Sequence, residues 1–356
     1  MVYLIAPRSF DEIAASYSGL VIDSAAIDSH GQFAFTNVSA SSQPRLYQLA
    51  MQTTDSRYAN QLMDENPLLA NYMPIVLQQG FSMRCSAEAA HFQASFQWQQ
   101  ASPDNAALLA LRQIRHDTYR RLATELEAAK IPDERILLEQ EAVVRAFQKP
   151  LMVFADSTAS VWAALVATRW VSLQNDYERV PEFLHGQCQK WSAQQLANPF
   201  VAQLCAKTDG EKLPVLIGGI IPNFALPIST GDTVLLQNLL GQKLTILDIW
   251  ASWCMPCRHE NREVLAPLWA QYREQGLQII GYSIDSSDKS WQTAIAKDGA
   301  AWPQASHLTG DETPFMEALR ISTIPANFLL DAQGRVVAKN LHGAALKDFV
   351  ESYLKQ

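Results

Sequence analysis

Two near-continuous apolar runs, KLTILDIW (residues 243–250) and LQIIGYSID (277–285), constrain this chain more than any other feature. A strand that is apolar at successive positions has no face to give to water, so it belongs inside a sheet covered on both sides. Between the runs, CRHENREVLAPLWAQYREQG repeats its apolar residues at helical spacing and stops at Gly276, a natural residue just past a helix end. Buried strand, amphipathic helix and buried strand are the material of an α/β layered domain. DKSWQTAIAKDG reads as a further helix with Asp288 as its N-cap. IPANFLLDAQGRVVAKNLHG reads as a hairpin turning at Asp331–Gly334, and AALKDFVESYLKQ as a closing helix. The predicted order over residues 213–356 is β-α-β-α-β-β-α, with a further hairpin in front.

The upstream chain has a different character. With 356 residues the protein exceeds one ordinary core, so two or three sections are expected. Residues 1–102 alternate short apolar runs with turn signals, as in GLVIDSAAIDSHGQFAFTNV, and predict a small antiparallel sheet or sandwich. Its first strand starts almost at Met1, which leaves room for an edge strand upstream. At Ser102-Pro103-Asp104 a helix-start signal appears, and Leu108, Leu111, Ile114 and Leu122 then follow helical spacing. Residues 103–212 are therefore read as a helical section.

Net charge is −8, and no Lys/Arg cluster exceeds a pair, so a nucleic-acid partner is not expected. No apolar run is long enough to span a bilayer. The opening MVYLIAPRSF lacks the basic and apolar regions of an export leader, which fits either a cytosolic protein or one whose leader has been trimmed.

Five cysteines, Cys85, Cys188, Cys205, Cys254 and Cys257, are too few for a disulfide-stapled scaffold. Cys188 and Cys205 are read as buried small hydrophobes, although a disulfide between them stays open, because spacing alone does not set distance. A structural zinc site wants a second close pair of ligands, and WASWCMPCRHE offers one CxxC with only His259 nearby. No metal and no other cofactor is expected beyond a redox-active Cys254–Cys257 disulfide.

That CxxC stands between a buried strand and a helix. Spacing of three puts both sulfurs on one side of the first turn. Cys254 at the helix entrance gains unpaired N–H groups and the dipole, which favour a thiolate. Cys257, one turn in, is expected to be more buried. Cys254 is thus the attacking and Cys257 the resolving cysteine. Pro256 fits the first turn, where no backbone donor is lost. Asp248 sits inside the apolar run TILDIW, where burial should raise its pKa and fit it to take the Cys257 proton. The alternative for Asp248 is a hydrogen-bonded carboxyl with no catalytic part. Pro325, at the head of the apolar strand ANFLL, needs exemption from ladder pairing. A cis Ile324–Pro325 bond would supply it, the alternative being an ordinary trans Pro at a sheet edge. In the thioredoxin fold, whose β-α-β-α-β-β-α order this is, the loop faces the CxxC and would offer the Ile324 backbone to an extended substrate. Trp253 would form part of a peptide-binding rim, or simply pack on the turn.

IPNFAL with LLGQKL, LDIWASWCMPCRHE and STIPANFLLDAQGRVVAKNLHG, in this order and spacing, resemble the TlpA/ResA-like branch of thioredoxin-fold thiol–disulfide oxidoreductases. DSAAIDSHGQFAFTNV, PRLYQL and QASPDNAAL resemble an uncharacterised β-rich domain often fused in front of such modules. The resemblance implies a thioredoxin-like α/β domain behind a β-rich, sandwich-like domain and a helical section. It assigns attack to Cys254, resolution to Cys257, the cis-proline to Pro325 and the buried acid to Asp248. It also matches Glu260 to an acid that tunes the thiols, against a solvated first-turn Glu that merely complements the dipole. Many members carry Pro five residues after the second cysteine. This chain has Arg262 there, so any helix kink should fall near Pro267. Met-Pro between the cysteines, with no His, argues for a reducing or intermediate potential. The resemblance further implies a periplasmic or membrane-anchored protein, protein thiols and disulfides as partners, and a membrane electron donor. Oligomeric state is not set.

Two other functions compete with reduction of disulfides in exported proteins. A binding or assembly protein would carry a vestigial CxxC and an unreactive Cys254. A thiol peroxidase would turn over hydrogen peroxide without Cys257, but that chemistry places Thr three residues before its cysteine, where this chain has Ala251.

Overall fold

A computed structural model describes residues 1–36, 38, 41–52, 56–80, 82–128, 136–172, 177–194, 197–209 and 212–355. The chain forms two compact units. One comprises Met1–Lys130, Ala142–Tyr177 and Phe183–Asp209; the other comprises Ile131–Glu141, Glu178–Glu182 and Gly210–Gln356.

The β-rich character of the N-terminal section takes the form of one four-stranded antiparallel sheet. Its strands β1 (Val2–Ala6), β2 (Leu20–Ala25), β3 (Arg45–Met51) and β4 (Tyr72–Leu77) stand in the order β2-β1-β3-β4. β1 is thus internal rather than at an edge. A small ribbon pairs β5 (Cys85–Ser86) with β6 (Gln97–Trp98), and the short α1 (Phe92–Ser95) lies between them in sequence. The helical section follows as α2 (Pro103–Ala128), α3 (Ile136–Ser157), α4 (Val161–Val171), α5 (Pro181–Ser192) and α6 (Pro199–Ala206). α4 is buried nearly all round, and the Ser160 side chain caps its start by accepting the Ala163 N–H. The fully buried Arg115 is neutralised by Asp64 at 2.5 Å, and the Tyr72 hydroxyl donates to the same carboxylate at 2.6 Å.

Cys188 on α5 and Cys205 on α6 are disulfide-bonded, with Cα atoms 4.9 Å apart. Both are half-buried rather than buried small hydrophobes. That sequence expectation is corrected: the bond joins two helices at positions 17 apart, which no local pattern could show.

In the C-terminal unit a hairpin, β7 (Ala225–Pro227) with β8 (Thr233–Leu235), precedes a five-stranded mixed sheet. Its strands are β9 (Leu244–Trp250), β10 (Leu277–Ser283), β11 (Gln304–Ala305), β12 (Ala326–Asp331) and β13 (Val336–Lys339), in the order β11-β10-β9-β12-β13. β10 runs parallel to β9 and β11, while β12 runs antiparallel to β9 and β13. The helices are α7 (Met255–Glu260), α8 (Ala266–Tyr272), α9 (Asp288–Asp298), α10 (Pro314–Leu319) and α11 (Gly343–Leu354). β11 and α10 add to the order read from the sequence; a two-residue strand carries no period to read.

All seven residues of β9 are buried. Leu247 and Ile249 join one core with Ile280, Tyr282, Trp291, Phe315 and Phe328. Leu244 and Ile246 join the core on the opposite face with Leu265, Leu268, Leu346 and Val350. At about 1.5–3 kcal/mol for each fully buried aliphatic side chain, this two-sided burial is what fixes β9 at the centre. This is the thioredoxin-like arrangement.

Two local expectations change. Ser287, not Asp288, caps α9 through the Ser290 N–H; Asp288 is the first helical residue. Departure from α-helical geometry falls at Asn261–Leu265, a π-type segment spanning Arg262, rather than at Pro267. Pro267 stands at the start of α8 and has no N–H to give to the carbonyl four residues back. The Ala266 N–H reaches five back to Asn261 instead, so the wide turn lies upstream of the proline.

Candidate active site

The strand β9 ends at Trp250 and the chain turns at once into α7, with Cys254 as its N-cap. Three anchors hold that turn. The Asp285 carboxylate accepts the Ser252 N–H at 2.8 Å and its hydroxyl at 2.6 Å. Arg258 donates to the Ser252 carbonyl at 3.1 Å and is itself ion-paired with the fully buried side chain of Asp298. Trp250 is buried, and its indole N–H donates to Gln304 at 3.1 Å.

Cys254 and Cys257 form a disulfide. Cys254 is 6% exposed and Cys257 2%, so the helix-entrance sulfur is the one nearer to solvent. The Cys257 N–H donates to Cys254 Sγ at 3.3 Å, the contact that would also stabilise a thiolate there. Trp253 and Met255, on either side of Cys254, are 64% and 59% exposed, so Trp253 does not pack inward on the turn.

Asp248 is buried in β9, opposite Gly281 on one neighbour and Asn327 on the other. No hydrogen bond among the described residues reaches its carboxyl. Burial, reinforced by the nearby Glu260 charge, holds its pKa well above the ordinary carboxylate range. Glu260 is likewise buried, at 2% exposure, and ends α7 rather than sitting in its first turn. The solvated dipole-complementing Glu is therefore corrected. Its carboxylate accepts the Gly343 N–H at 3.0 Å at the start of α11 and contacts His342 Nδ1 at 2.6 Å.

The Ile324–Pro325 peptide bond is cis. Ala326 is paired with Ile249, so Pro325 lies beside the end of β9 from which the CxxC turn departs. The Ile324 side chain packs on the same core as Cys254 and Cys257. The structure therefore brings Asp248, Cys254, Cys257, Glu260, Ile324 and Pro325 to one end of the sheet. Sequence reading missed Asp285, Arg258, Asp298 and His342. Asp285 had a signal, an acid closing a buried strand; His342 had none, because it meets Glu260 across 82 positions.

Residues 217–339 match the model of the AhpC/TSA family. Among curated proteins, the thiol-disulfide oxidoreductase ResA of Bacillus thuringiensis (strain Al Hakam) is 30% identical over 148 residues, 42% of this chain and 81% of the relative. ResA of Bacillus subtilis (strain 168) is 26% identical over 137 residues, 38% of this chain and 73% of the relative. Among solved structures, a thiol-disulfide oxidoreductase from Bacteroides fragilis NCTC 9343 is 30% identical and covers 37% of this chain and 98% of its own, with a TM-score of 0.35. Through its C-terminal unit, with a cysteine pair at the mouth of a buried strand, the chain belongs to the ResA-like thiol–disulfide oxidoreductases.

Proposed function

We propose that Cys254 and Cys257 are the redox centre and that the protein reduces disulfides of exported proteins. The observation that carries this reading is the graded burial of a bonded CxxC pair beside an unbonded, buried carboxyl at Asp248.

In the reduced enzyme the Cys254 thiolate attacks one sulfur of a substrate disulfide. The substrate S–S bond breaks, its other sulfur leaves as a thiolate and takes a proton, and Cys254 is left in a mixed disulfide. Cys257 then attacks Cys254 Sγ. The Cys254–Cys257 bond forms, the second substrate thiol leaves, and two electrons have passed to the substrate. Cys257 must lose its proton for this step. A pKa raised well above the ordinary carboxylate range makes the ionised Asp248 carboxylate a stronger base for that task. Glu260 tunes Asp248 by its charge. The Ile324 backbone at Pro325 docks the peptide that carries the disulfide, and Trp253 supplies an apolar rim. Recharging the pair takes a dithiol donor, assigned by resemblance to a membrane carrier. No helix among the described residues is long and apolar enough to cross a membrane. The second disulfide, Cys188–Cys205, supports an oxidising, extracytoplasmic compartment.

The deciding experiment is equilibration of the full chain in graded thiol/disulfide buffers, followed by tryptophan fluorescence from Trp250 and Trp253. A two-electron midpoint below about −250 mV is expected for a reductase; one above about −200 mV means an oxidase or isomerase. The AhpC/TSA match favours a second reading, a thiol peroxidase. Hydrogen peroxide turnover that survives Cys257→Ser would establish it.

A further inference from the structure

Residues Glu178–Glu182 lie upstream of the 217–339 stretch shared with the family, yet they are part of the C-terminal unit. They close on the loop Ser322–Pro325, about 144 positions later in the sequence. Glu178 accepts the Thr323 N–H at 3.1 Å on one carboxylate oxygen and the Ser322 hydroxyl at 2.7 Å on the other. Arg179 Nη2 donates to the carbonyls of Thr323 at 3.3 Å and Pro325 at 3.0 Å. Its Nη1 donates to Asn340 Oδ1 at 3.0 Å, and its Nε lies 3.4 Å from Glu141. Glu182 fastens the far end of the segment, accepting the Ile217 N–H at 3.0 Å and pairing with Lys339 at 2.7 Å.

The pattern of what is bonded is selective. The backbone of Thr323 is taken on both its N–H and its carbonyl, and the carbonyl of Pro325 is taken as well. Between them, no described residue bonds the Ile324 N–H or carbonyl. A segment that plugged a peptide groove would occupy that residue first. This one grips its neighbours and leaves it open. A planar guanidinium can hold two carbonyls in fixed relation, which a flexible ammonium cannot. A docking edge fixed in this way binds without paying again for the ordering of the loop.

We propose that Glu178 and Arg179 are positioning residues for disulfide exchange with peptides: they hold the backbone on both sides of Ile324 so that its free N–H and carbonyl meet an extended chain. The proposal rests on the reading of the Pro325 loop as the docking edge. Neither residue touches a redox sulfur, so the effect falls on peptide docking and not on the chemistry of the Cys254–Cys257 pair.

The test uses the full chain, recharged by dithiothreitol, with insulin as peptide disulfide and 5,5′-dithiobis(2-nitrobenzoic acid) as a small disulfide that needs no docking edge. Arg179→Ala and Glu178→Ala are expected to lower kcat/KM for insulin about tenfold, mainly through KM. Turnover of the small disulfide stays within about twofold, and the midpoint potential does not shift. Glu178→Gln, which keeps an acceptor for the Thr323 N–H, restores most of the loss. Arg179→Lys, which keeps the charge but not the fork, gives the same split at smaller size and serves if the alanine variant does not fold. Unchanged insulin kinetics overturn the proposal. So do equal losses on both substrates with a shifted potential, which mean a structural role, and faster insulin reduction, which means that the segment occludes the loop. The docking reading fails separately if the unaltered protein does not reduce insulin, or if insulin reduction survives Cys254→Ser.

Discussion

Replacing Asp248 with asparagine should stabilise the C-terminal unit, and by an amount that grows with pH. In the native state the carboxyl is buried, takes no hydrogen bond from a described residue and feels the Glu260 charge, so its pKa is raised well above the usual carboxylate range. In the unfolded chain it returns to about 4. A group whose folded pKa is the higher one binds more protons folded than unfolded, so it makes stability fall as pH rises between the two values. The slope is about 1.4 kcal/mol per pH unit for as long as the native carboxyl stays protonated and the unfolded one does not. The amide that replaces it does not titrate. Urea unfolding of both proteins between pH 4.5 and 8, read by tryptophan fluorescence and near-ultraviolet circular dichroism, should show Asp248→Asn gaining on the parent with rising pH. Near pH 4 the two should agree to within about 0.5 kcal/mol, as for a near-isosteric change without a charge difference. The gain should stop growing once the native carboxyl ionises, which locates its pKa without any assay of activity. Parallel curves across the range would mean that Asp248 titrates alike in both states, and the argument from burial would fail with the proton-accepting role built on it.

Cys254→Ser should abolish insulin reduction, whereas Cys257→Ser should accumulate a mixed disulfide at Cys254, seen as a mass increase that dithiothreitol removes. Thiol titration of the oxidised protein in denaturant should find one free thiol, Cys85, and all five after reduction; in the folded protein Cys85 should react slowly, because burial pushes its pKa up to about 11. Three or more free thiols before reduction would remove one of the disulfides described. Gly281→Ala should cost about 1–3 kcal/mol in urea melts, because a Cβ there would stand 2.2 Å from the buried Gln304 amide that holds Trp250. Asp285→Ala strips two bonds from Ser252 and should cost about 1–3 kcal/mol, with a rise in Cys254 alkylation rate in the reduced protein.

The central strands and the cysteine pair were legible because their signals are local. β9 has seven successive buried residues, and a run of that kind has few other homes. Cys254 and Cys257 share one helical turn, so three residues of spacing carry the geometry. What stayed hidden lies in contacts between distant positions. The Cys188–Cys205 bond depends on where α5 and α6 stand relative to each other, and the two cysteines have no pattern of their own. Glu260 could be read either as an acid that tunes the thiols or as a solvated first-turn Glu, because the partners that bury it are 82 and 83 positions away. The π-type segment at Asn261–Leu265 answers a proline downstream of it, so a reading that seeks the kink at the proline looks one turn too late.

The bond from Gly343 to Glu260 joins the last helix of the chain to the helix that carries the thiols. α11 holds no redox atom, but its first N–H bonds the Glu260 carboxylate, whose charge bears on Asp248. Anything that frays α11 thereby loosens a charge under the cysteines. A potential measured on a protein tagged after Leu354 should therefore be compared with one tagged at Met1.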